Sequence, residues 1–448
     1  MPNVNRGVRR KLFWMVAVAL ALRLAVMAYL YPLQLSARAQ HWSFGYETGR
    51  IAASIAEGRG FSSPLFGDTG PTAWMTPVYP YIVAGVFKVF GVFTTASALV
   101  ILSFNAITSA LTCLPIFFFA RKSFGAPYGE SAGEWAGWIW AVFPYAIYWP
   151  VERIWDTWLA TLLLAILFWL ALHLAESNRA RDWIAFGVLS GMAALTDPVV
   201  LSVLPFLALW ALWRLHAKRK RWLLPAVGCM LATILVISPW FVRNYRVFHK
   251  FIPFRDNFGL ALRVGNIGDT RHMLTLQAGP WMNPAEWRQY QRLGEIAYMR
   301  YARDAAFDFI AAHPREYVDS CIRRAIFVWT DFWSLSSEYL LGYPIQPAGF
   351  ALYTGLSVLA FIGLRNARRE GPAYATPYAI VLVFFPLTYY LTSVEWWYRV
   401  PMDPMVFALA AHAIVCIASR RSPTSIFSDS FFEAFDGKSR QSEHVNRL

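Results

Sequence analysis

Long apolar runs separated by short polar segments dominate the chain up to about position 420. A membrane-spanning helix needs about 20 mostly apolar residues, so runs of this length predict crossings. One further run, 183–215, is broken by Thr196, Asp197 and Pro198, which predicts one helix crossing and a second returning. With that pair, ten crossings are expected from the sequence. The uninterrupted runs lie at 12–31, 97–119, 132–150, 157–175, 222–241, 345–364, 374–393 and 400–418.

The apolar segment from Val78 to Phe90 departs from this pattern. It has 13 residues, contains Lys88, and is bounded by Pro77 and Gly91. A helix of this length rises only about 20 Å, which is shorter than the hydrocarbon core of a bilayer. The sequence therefore predicts an interfacial or re-entrant helix here, not a crossing.

The distribution of positive charge supports this count of crossings. With the N-terminus inside, the cytoplasmic segments hold 20 of the 41 Lys and Arg residues, whereas the short outer connections at 151–156, 196–198 and 394–399 hold two. Cytoplasmic loops of membrane proteins carry such an excess. The sequence thus indicates a multi-pass protein of the inner (plasma) membrane with a single transmembrane domain at 1–420. Its other expected parts are large outer loops at 32–96 and 242–344 and a disordered cytoplasmic tail at 421–448.

The second large loop carries its own helix signals. Asn283 is a helix cap and Pro284 suits the first helical position, which predicts a helix running to about Ala312. A second helix is expected from Pro314 to about Trp333, and its aromatic end suits a membrane surface.

Composition narrows the functional class. Of 448 residues, 57% are hydrophobic and 15% are charged, which is typical of a polytopic membrane protein and excludes a soluble enzyme. The net charge of +14 follows largely from the topology, and no basic cluster belongs to a soluble fold that could bind nucleic acid. No Walker loop, dinucleotide-binding glycine pattern or HExxH motif is present. The spacing of Cys113, Cys229, Cys321 and Cys416 indicates neither a disulfide framework nor a zinc site.

Five acidic residues fall near the ends of predicted spans on the outer side. Charged groups at membrane depth are costly unless they face a polar cavity or pair with one another, so their shared side predicts a common cavity. The alternative for a single member is a structural ion pair, such as Glu152 with Arg153 or with Arg399. The five acids are Glu47, Glu152, Asp156, Asp197 and Glu395.

The stretch from His41 to Pro80 opens with a short amphipathic helix. Glu47, Arg50 and Ser54 share one face at helical spacing, and Gly58 predicts the end of the helix. A carboxylate beside an arginine, on a helix lying against a membrane, suits a catalytic site. The alternative is an interfacial helix whose Glu47 is simply solvated.

The order of these parts resembles the GT-C class of membrane glycosyltransferases, especially the protein O-mannosyltransferase-like and aminoarabinose transferase-like enzymes. The resemblance covers most of residues 10–420 and rests on the acid-bearing first loop, on TPVYP at 76–80, and on the Tyr-Arg-Val-Pro sequence beginning at Tyr398. It implies an all-α polytopic fold with about ten transmembrane helices and with interfacial helices in the two outer loops. It also implies sugar transfer from a polyprenyl-phosphate-linked donor to a lipid, glycan or protein acceptor at the outer (periplasmic) face. Membrane lipids are further expected partners.

In that class an acid of the first outer loop, usually Asp, is the catalytic carboxylate, and Glu47 is the matching position. The exchange of Asp for Glu and the missing DxD pair leave metal dependence open. A divalent metal is one alternative, and no cofactor at all is the other.

The chemistry of such a transfer assigns roles to the charged residues. A carboxylate can take the proton of an acceptor hydroxyl, and arginine can hold a leaving phosphate through paired hydrogen bonds. Glu47 is the expected base, and Glu152 and Asp156 are further catalytic candidates. The expected phosphate-binding residues are Arg399, Tyr398, Arg243, Arg246, Arg255 and Lys88, and the expected cavity-lining residues are Arg50, Tyr79, Asp197 and Glu395.

A flippase or transporter for a lipid or lipid-linked sugar is the competing interpretation. Such a protein would show internal repeats and charges near the middle of its spans. Here Arg23 and Arg214 alone lie within apolar runs. A non-catalytic scaffold is a third class, and it would not need the acids to converge.

Overall fold

The computed structural model describes residues 5–34, 44–268, 276–334, 346–395 and 397–421. Within these ranges the secondary structure is helical, apart from one isolated β-bridge between Ser62 and Pro71. The predicted disordered tail lies outside the described residues from position 422 onward. The helices up to the second loop are α1 (Arg6–Gln34), α2 (Glu47–Ala56), α3 (Val78–Phe90), α4 (Thr95–Leu111), α5 (Cys113–Phe124), α6 (Gly129–Val142), α7 (Pro144–Glu152), α8 (Thr157–Leu174), α9 (Ala180–Ala194), α10 (Leu204–Ala217) and α11 (Leu223–Phe248).

The later helices form the second loop and the last part of the bundle. We call residues 32–96 the first loop and residues 242–344 the second loop. These helices are α12 (Phe258–Asn266), α13 (Pro284–Leu293), α14 (Glu295–Ala312), α15 (Pro314–Thr330), α16 (Gln346–Glu370), α17 (Pro372–Phe384), α18 (Leu387–Leu391) and α19 (Asp403–Arg421).

Eight helical segments of the described chain are long and apolar enough to cross a membrane. They coincide with eight of the ten predicted crossings. The other two predicted crossings are helical but shorter or interrupted: the run 132–150 forms α6 and α7, and the first half of the run 183–215 forms α9, with 15 residues. Pro144 explains the interruption, because it begins α7 and has no N–H to continue the ladder of α6.

Arg23 satisfies the backbone of that interrupted region. Its side chain is fully buried, and its guanidinium donates hydrogen bonds to the carbonyls of Trp140 and Ala141 at the end of α6. It also donates to Ser109 Oγ at 2.9 Å and to the carbonyl of Ala19 at 2.8 Å. A buried guanidinium is stable here because its hydrogen bonds are accepted by carbonyls at the end of α6 that have no partner in α7.

The short helix α3 has the predicted bounds, Val78–Phe90. It ends at Gly91, whose φ of 91° favours glycine. Helix α3 packs on α2, and Ala52, Tyr79 and Val83 are buried in one apolar cluster with Phe44, which precedes α2. The helix predicted from Pro284 to Ala312 is instead two helices, because Gly294 adopts a φ of 72° between α13 and α14.

The two loops share a hydrophobic core of their own. Phe61 and Trp74 of the first loop pack with Leu260, Tyr290 and Tyr298 of the second. This core is separate from the large apolar cluster of the helix bundle. The loops are therefore one packed layer, and they hold each other in place.

Helices α16 and α19 approach each other closely through Gly363. A Cβ atom built on Gly363 would lie 2.0 Å from the backbone oxygen of Leu409, so only glycine fits there. Small residues at such crossings allow helix backbones to come together in membranes. This contact brings the C-terminal ends of the two helices side by side.

Candidate active site

Glu47 is buried at the start of α2. Its side chain is 8% exposed, and Oε1 accepts a hydrogen bond of 2.8 Å from Nε1 of Trp281. Gly45 and Tyr46 before it have φ values of 67° and 27°, which make the sharp turn that starts the helix. Burial raises the pKa of Glu47 to about 7, and the backbone, Trp281 and Arg50 only partly oppose that rise. A carboxylate with this pKa can accept a proton near neutral pH.

Arg50 lies one turn further along α2 and close to this carboxylate. Its guanidinium stacks over the rings of Phe66, at 3.9 Å from the centroid, and Tyr46, at 4.7 Å. Nε and Nη2 are buried and have no hydrogen-bond partner among the described residues. Glu47 and Arg50 are therefore neighbours on α2, and two guanidinium nitrogens make no hydrogen bond within the described part of the chain.

The segment that carries Glu152 and Asp156 lies directly against this turn. A Cβ atom on Gly45 would lie 2.0 Å from the backbone oxygen of Ile154, so the two backbones touch. Glu47 is two residues beyond Gly45, and Glu152 and Asp156 are each two residues from Ile154. The first and second acidic segments of the chain therefore meet at this turn, and their membership of one site stays a prediction.

Asp156, Asp197 and Arg255 form a second charged cluster at this site. Arg255 Nη2 lies 3.7 Å from Oδ1 of Asp197, and Asp156 is 8% exposed beside them. Burial raises the pKa of Asp156, the nearby carboxylate of Asp197 raises it further, and Arg255 opposes both effects. Burial also raises the pKa of Tyr398, whose charge interactions include Arg255 and Asp197. The cluster thus brings Asp156 and Asp197 together with Tyr398, which lies in the connection before α19.

The turn at 76–80 docks on the segment that carries Asp197. Thr76 Oγ1 donates to the carbonyl of Thr196 at 2.7 Å, and the N–H of Val78 donates to the carbonyl of Leu195 at 3.2 Å. Tyr79 is fully buried and donates to Oδ1 of Asn105 at 2.8 Å. The TPVYP sequence therefore positions the first loop on the helix bundle.

Arg399 lies in a different part of this region. It is 3% exposed, with Nε donating to Asp403 at 2.7 Å and Nη1 donating to the carbonyl of Val328 at 2.8 Å. It borders a small cavity lined by Phe327, Val328, Asp331, Tyr353, Val394, Glu395 and Arg399, and its Nη2 has no partner among the described residues. Glu395 and Tyr398 come from the same connection, so they join this cavity to the cluster around Asp197.

The remaining predicted site residues make structural or surface contacts. Glu152 pairs with its neighbour Arg153 at 3.2 Å, which is the structural alternative considered for it. Arg243 donates to the carbonyls of Thr72 at 2.6 Å and Phe61 at 2.8 Å, and so it ties α11 to the first loop. Two further basic side chains are exposed, Lys88 and Arg246.

Two residues of the second loop contact the first loop and were not among the predicted site residues. Trp281 holds Glu47, and Glu295 accepts hydrogen bonds from Thr72 and from the backbone N–H of Ala73 in the first loop. Glu295 opens α14 directly after Gly294, so a helix-start signal was present. Its partners, more than 200 residues earlier, could not be read from the local pattern.

Metal-ligating side chains converge elsewhere in the described part of the chain. Among the described residues, one set of three metal-ligating side chains converges, Glu370, His412 and Cys416, and it does not include Glu47. The neighbours of Glu47 are an indole N–H and a guanidinium, which repel a cation. Among the described residues, Glu47 thus belongs to no converging set of three metal-ligating side chains.

Comparisons with known proteins agree with this architecture. Residues 74–242 match the family model described as dolichyl-phosphate-mannose-protein mannosyltransferase, which includes Asp156 and Asp197 but not Glu47. The structure is similar to the archaeal oligosaccharyltransferase AglB from Archaeoglobus fulgidus in complex with an inhibitory peptide and a dolichol-phosphate, with a TM-score of 0.53 and 14% identity. That match covers 96% of this chain and 54% of the other.

Two further solved structures are similar. The Archaeoglobus fulgidus oligosaccharyltransferase in complex with Zn and sulfate has a TM-score of 0.51 and 11% identity, covering 91% of this chain and 51% of the other. ArnT from Cupriavidus metallidurans bound to undecaprenyl phosphate has a TM-score of 0.37 and 14% identity, covering 91% and 78%. A search of curated proteins found no match.

The two oligosaccharyltransferase matches define the class of the fold. The protein is an all-α polytopic membrane protein with the GT-C fold of membrane glycosyltransferases. It spans about half the length of the oligosaccharyltransferases that it matches.

Proposed function

We propose that this protein is a membrane glycosyltransferase that moves a sugar from a polyprenyl-phosphate-linked donor to an acceptor hydroxyl. The observation that carries the proposal is the buried carboxylate of Glu47, with a pKa of about 7, beside the unused donors of Arg50. The GT-C fold supports the reaction class, and the dolichol-phosphate in the AglB complex supports a lipid phosphate as the donor's leaving group.

Glu47 serves as the general base of this reaction. It takes the proton of the acceptor hydroxyl while the acceptor oxygen forms a bond to the anomeric carbon. The bond between that carbon and the donor's phosphate oxygen breaks, and the lipid phosphate leaves with the electron pair. Trp281 fixes the orientation of the carboxylate through its hydrogen bond to Oε1. Proton transfer of this kind contributes about 10²- to 10⁴-fold to rate.

Arg50 stabilises the charge that develops on the leaving phosphate. It is a cation close to the base, and its Nε and Nη2 are available to a ligand. Arg399 is the second candidate, since its Nη2 borders the cavity lined by Glu395. Arg255 is less suited to a phosphate because Asp197 pairs with it and Asp156 lies nearby.

The reaction takes place at the outer (periplasmic) side of the plasma membrane. The excess of Lys and Arg in the connections expected inside supports this orientation. The site lies between the two loops, so a lipid donor can leave its chain in the bilayer while its phosphate reaches Arg50.

Replacing Glu47 by Gln tests the proposal, because Gln keeps the size and hydrogen bonding of the side chain but cannot accept the proton. Transfer from a polyprenyl-phosphate-sugar donor by the purified full-length protein should fall at least about 10²-fold while donor binding persists. Glu57→Gln is the matched control, since Glu57 is exposed, lies directly after α2 and pairs with Arg59. Wild-type turnover by the Glu47→Gln protein would overturn the assignment and make Asp156 the next candidate base.

A binding measurement in the same preparation separates the two arginines. Arg50→Gln should weaken binding of the free polyprenyl phosphate at least about 10-fold, which is the effect of losing one charge-assisted hydrogen bond. Arg399→Gln breaks the buried pair with Asp403, so its thermal stability has to be measured alongside. Loss of phosphate binding in Arg399→Gln alone, at unchanged stability, would transfer the role to Arg399.

A further inference from the structure

Three side chains with metal-ligating atoms converge at the far ends of α16 and α19. Glu370 is the last residue of α16, and His412 and Cys416 lie one turn apart on α19. Their ligand atoms all lie within 4.8 Å of one another. The close backbone contact at Gly363 holds the two helices together one to two turns before this point.

The distances within this cluster fit a tetrahedral zinc site. His412 Nε2 lies 3.2 Å from Glu370 Oε2 and 3.8 Å from Cys416 Sγ, and Sγ lies 3.7 Å from Glu370 Oε1. Zinc bonds of about 2.0 Å to nitrogen or oxygen and about 2.3 Å to sulfur imply ligand separations of about 3.3 Å and 3.5 Å. Nε2 and Sγ lie near different oxygens of the Glu370 carboxylate, so an ion at this place needs the carboxylate to turn one oxygen toward both of them.

The surroundings fix the histidine and balance the charge of a bound ion. The His412 ring stacks on Phe124 with centroids 4.0 Å apart and planes 2° from parallel, and Tyr128 contacts its edge. A thiolate and a carboxylate together neutralise a divalent cation, which allows an ion to sit where a span ends. His412 and Cys416 are buried while Glu370 is partly exposed, so water can reach the fourth position.

Cys416 of this cluster lies well along α19 from Arg399 and its partner. It sits 13 residues along α19 from Asp403, the partner of Arg399, which is about 20 Å at 1.5 Å per residue. A metal there would join two helices of the bundle and would not touch the reacting groups.

We propose that Glu370, His412 and Cys416 bind a borderline divalent metal, Zn²⁺, that cross-links α16 and α19. One thiolate, one imidazole and one carboxylate are all zinc ligands, and water completes the coordination. The spacing of the cysteines alone does not reveal such a site, because Glu370 is supplied by another helix, 46 residues before Cys416.

Zinc binding to the purified full-length protein tests this site directly. The chain is stripped of metal with a chelator and titrated with Zn²⁺ against a competing indicator dye. We expect one Zn²⁺ per chain, and a weakening of more than about 100-fold in Cys416→Ala, since loss of a ligand should exceed the 10- to 100-fold effect of losing an outer partner. Cys229→Ala is the control, because Cys229 is half-buried and belongs to no converging set among the described residues.

A second pair of variants separates a metal site from an ordinary ion pair. His313 and Glu316 form a surface pair at 3.2 Å with no thiol beside it, so His313→Asn should leave zinc binding unchanged while His412→Asn weakens it. Co²⁺ in place of Zn²⁺ should give thiolate-to-metal absorption in the wild type and none in Cys416→Ala. Absence of stoichiometric zinc in the wild type would overturn the proposal, as would equal binding by Cys416→Ala.

Glu370→Gln tests zinc binding independently of Cys416→Ala and His412→Asn, which replace buried residues and can prevent folding. Glu370 is at the exposed end of α16, so its replacement leaves the packing of α19 intact. Its zinc affinity should fall, and the rise in thermal midpoint that zinc gives the wild type should shrink with it. Unchanged affinity in this folded variant would remove Glu370 from the site and contradict the cross-link.

Discussion

Glu47 is the residue whose chemistry depends most on its surroundings. An exposed glutamate would be fully ionised at neutral pH and a weak base. Burial in the layer between the two loops raises its pKa to about 7, and Trp281 orients it. Glu57 is also a glutamate, but it is exposed and paired with Arg59. The two residues therefore differ in their surroundings and not in their chemistry.

The pH dependence of transfer should follow the Glu47 carboxylate. A base must be deprotonated, so kcat/KM should rise about tenfold per pH unit below about 7 and level off above it, since the pKa of Glu47 is raised to that value. The measurement is a pH profile between 5.5 and 8.5 (about three units), with Glu47→Gln as the reference. The residual rate of that variant should be flat through pH 7, and an identical inflection in it would assign the titration to another group.

Ionisation of Glu47 lowers the free energy of unfolding, whereas it raises the expected activity. The folded pKa of Glu47 lies above the usual value of 4.5, so between about 4.5 and 7 the folded protein binds more protons than the unfolded chain. The contribution of Glu47 to stability is therefore complete below the lower value and is lost as the pH rises through 7. As the pH rises from about 4.5 to 7, the expected activity therefore increases while the stability contribution of Glu47 decreases.

At the scale of elements, Glu295 connects the two loops. It is 6% exposed at the start of α14 and accepts hydrogen bonds from Thr72, Ala73 and Tyr290. These contacts fix the segment just before the TPVYP turn, which in turn docks beside Asp197. The layer that buries Glu47 thus depends on a residue far from it in sequence.

Glu295→Ala should destabilise this layer. It leaves the hydroxyl of Thr72 and the N–H of Ala73 buried without their partner, at a cost of about 1–3 kcal/mol. We expect a lower thermal midpoint and faster proteolysis within the first loop. Glu316→Ala is the control, because Glu316 is exposed at the start of α15 and its removal should leave both measurements unchanged.

Elements governed by local pattern were predictable, and those governed by distant contacts were not. The bounds of α3 follow from Pro77 and Gly91, and they are the observed ones. The break at Gly294 was missed because glycine inside a helical pattern can continue the helix or end it, and only its φ of 72° decides. That Glu47 and Asp156 line one cavity stays a prediction from their shared side of the membrane, and Trp281 was not predicted, since nothing local links it to Glu47.

At the scale of the whole molecule, the positions of the spans follow from hydrophobicity alone. Eight predicted crossings coincide with helices able to span, because a lipid environment requires continuous apolar helices. The orientation of the bundle stays a prediction from loop charge.

Cysteine labelling checks that orientation. Arg121 lies at the end of α5 and Arg59 follows α2, and both are exposed. An impermeant thiol reagent added to intact cells should label Arg59→Cys and not Arg121→Cys, since the charge bias puts the α5 end inside. The wild type, with its four cysteines, gives the background. Labelling of Arg121→Cys from outside would reverse the orientation and place the site in the cytoplasm.

Arg23 has a consequence for the order of synthesis. Its hydrogen-bond partners beyond its own helix lie 86 to 118 residues later in the chain. At about 5–20 residues per second, α1 waits about 6 to 24 seconds before Trp140 and Ala141 exist. During that time its arginine lacks these two acceptors, and an arginine at the centre of a span costs about 2.5–3.5 kcal/mol on insertion scales. The buried hydrogen bonds of the first span are therefore complete only after α6 has entered the bilayer.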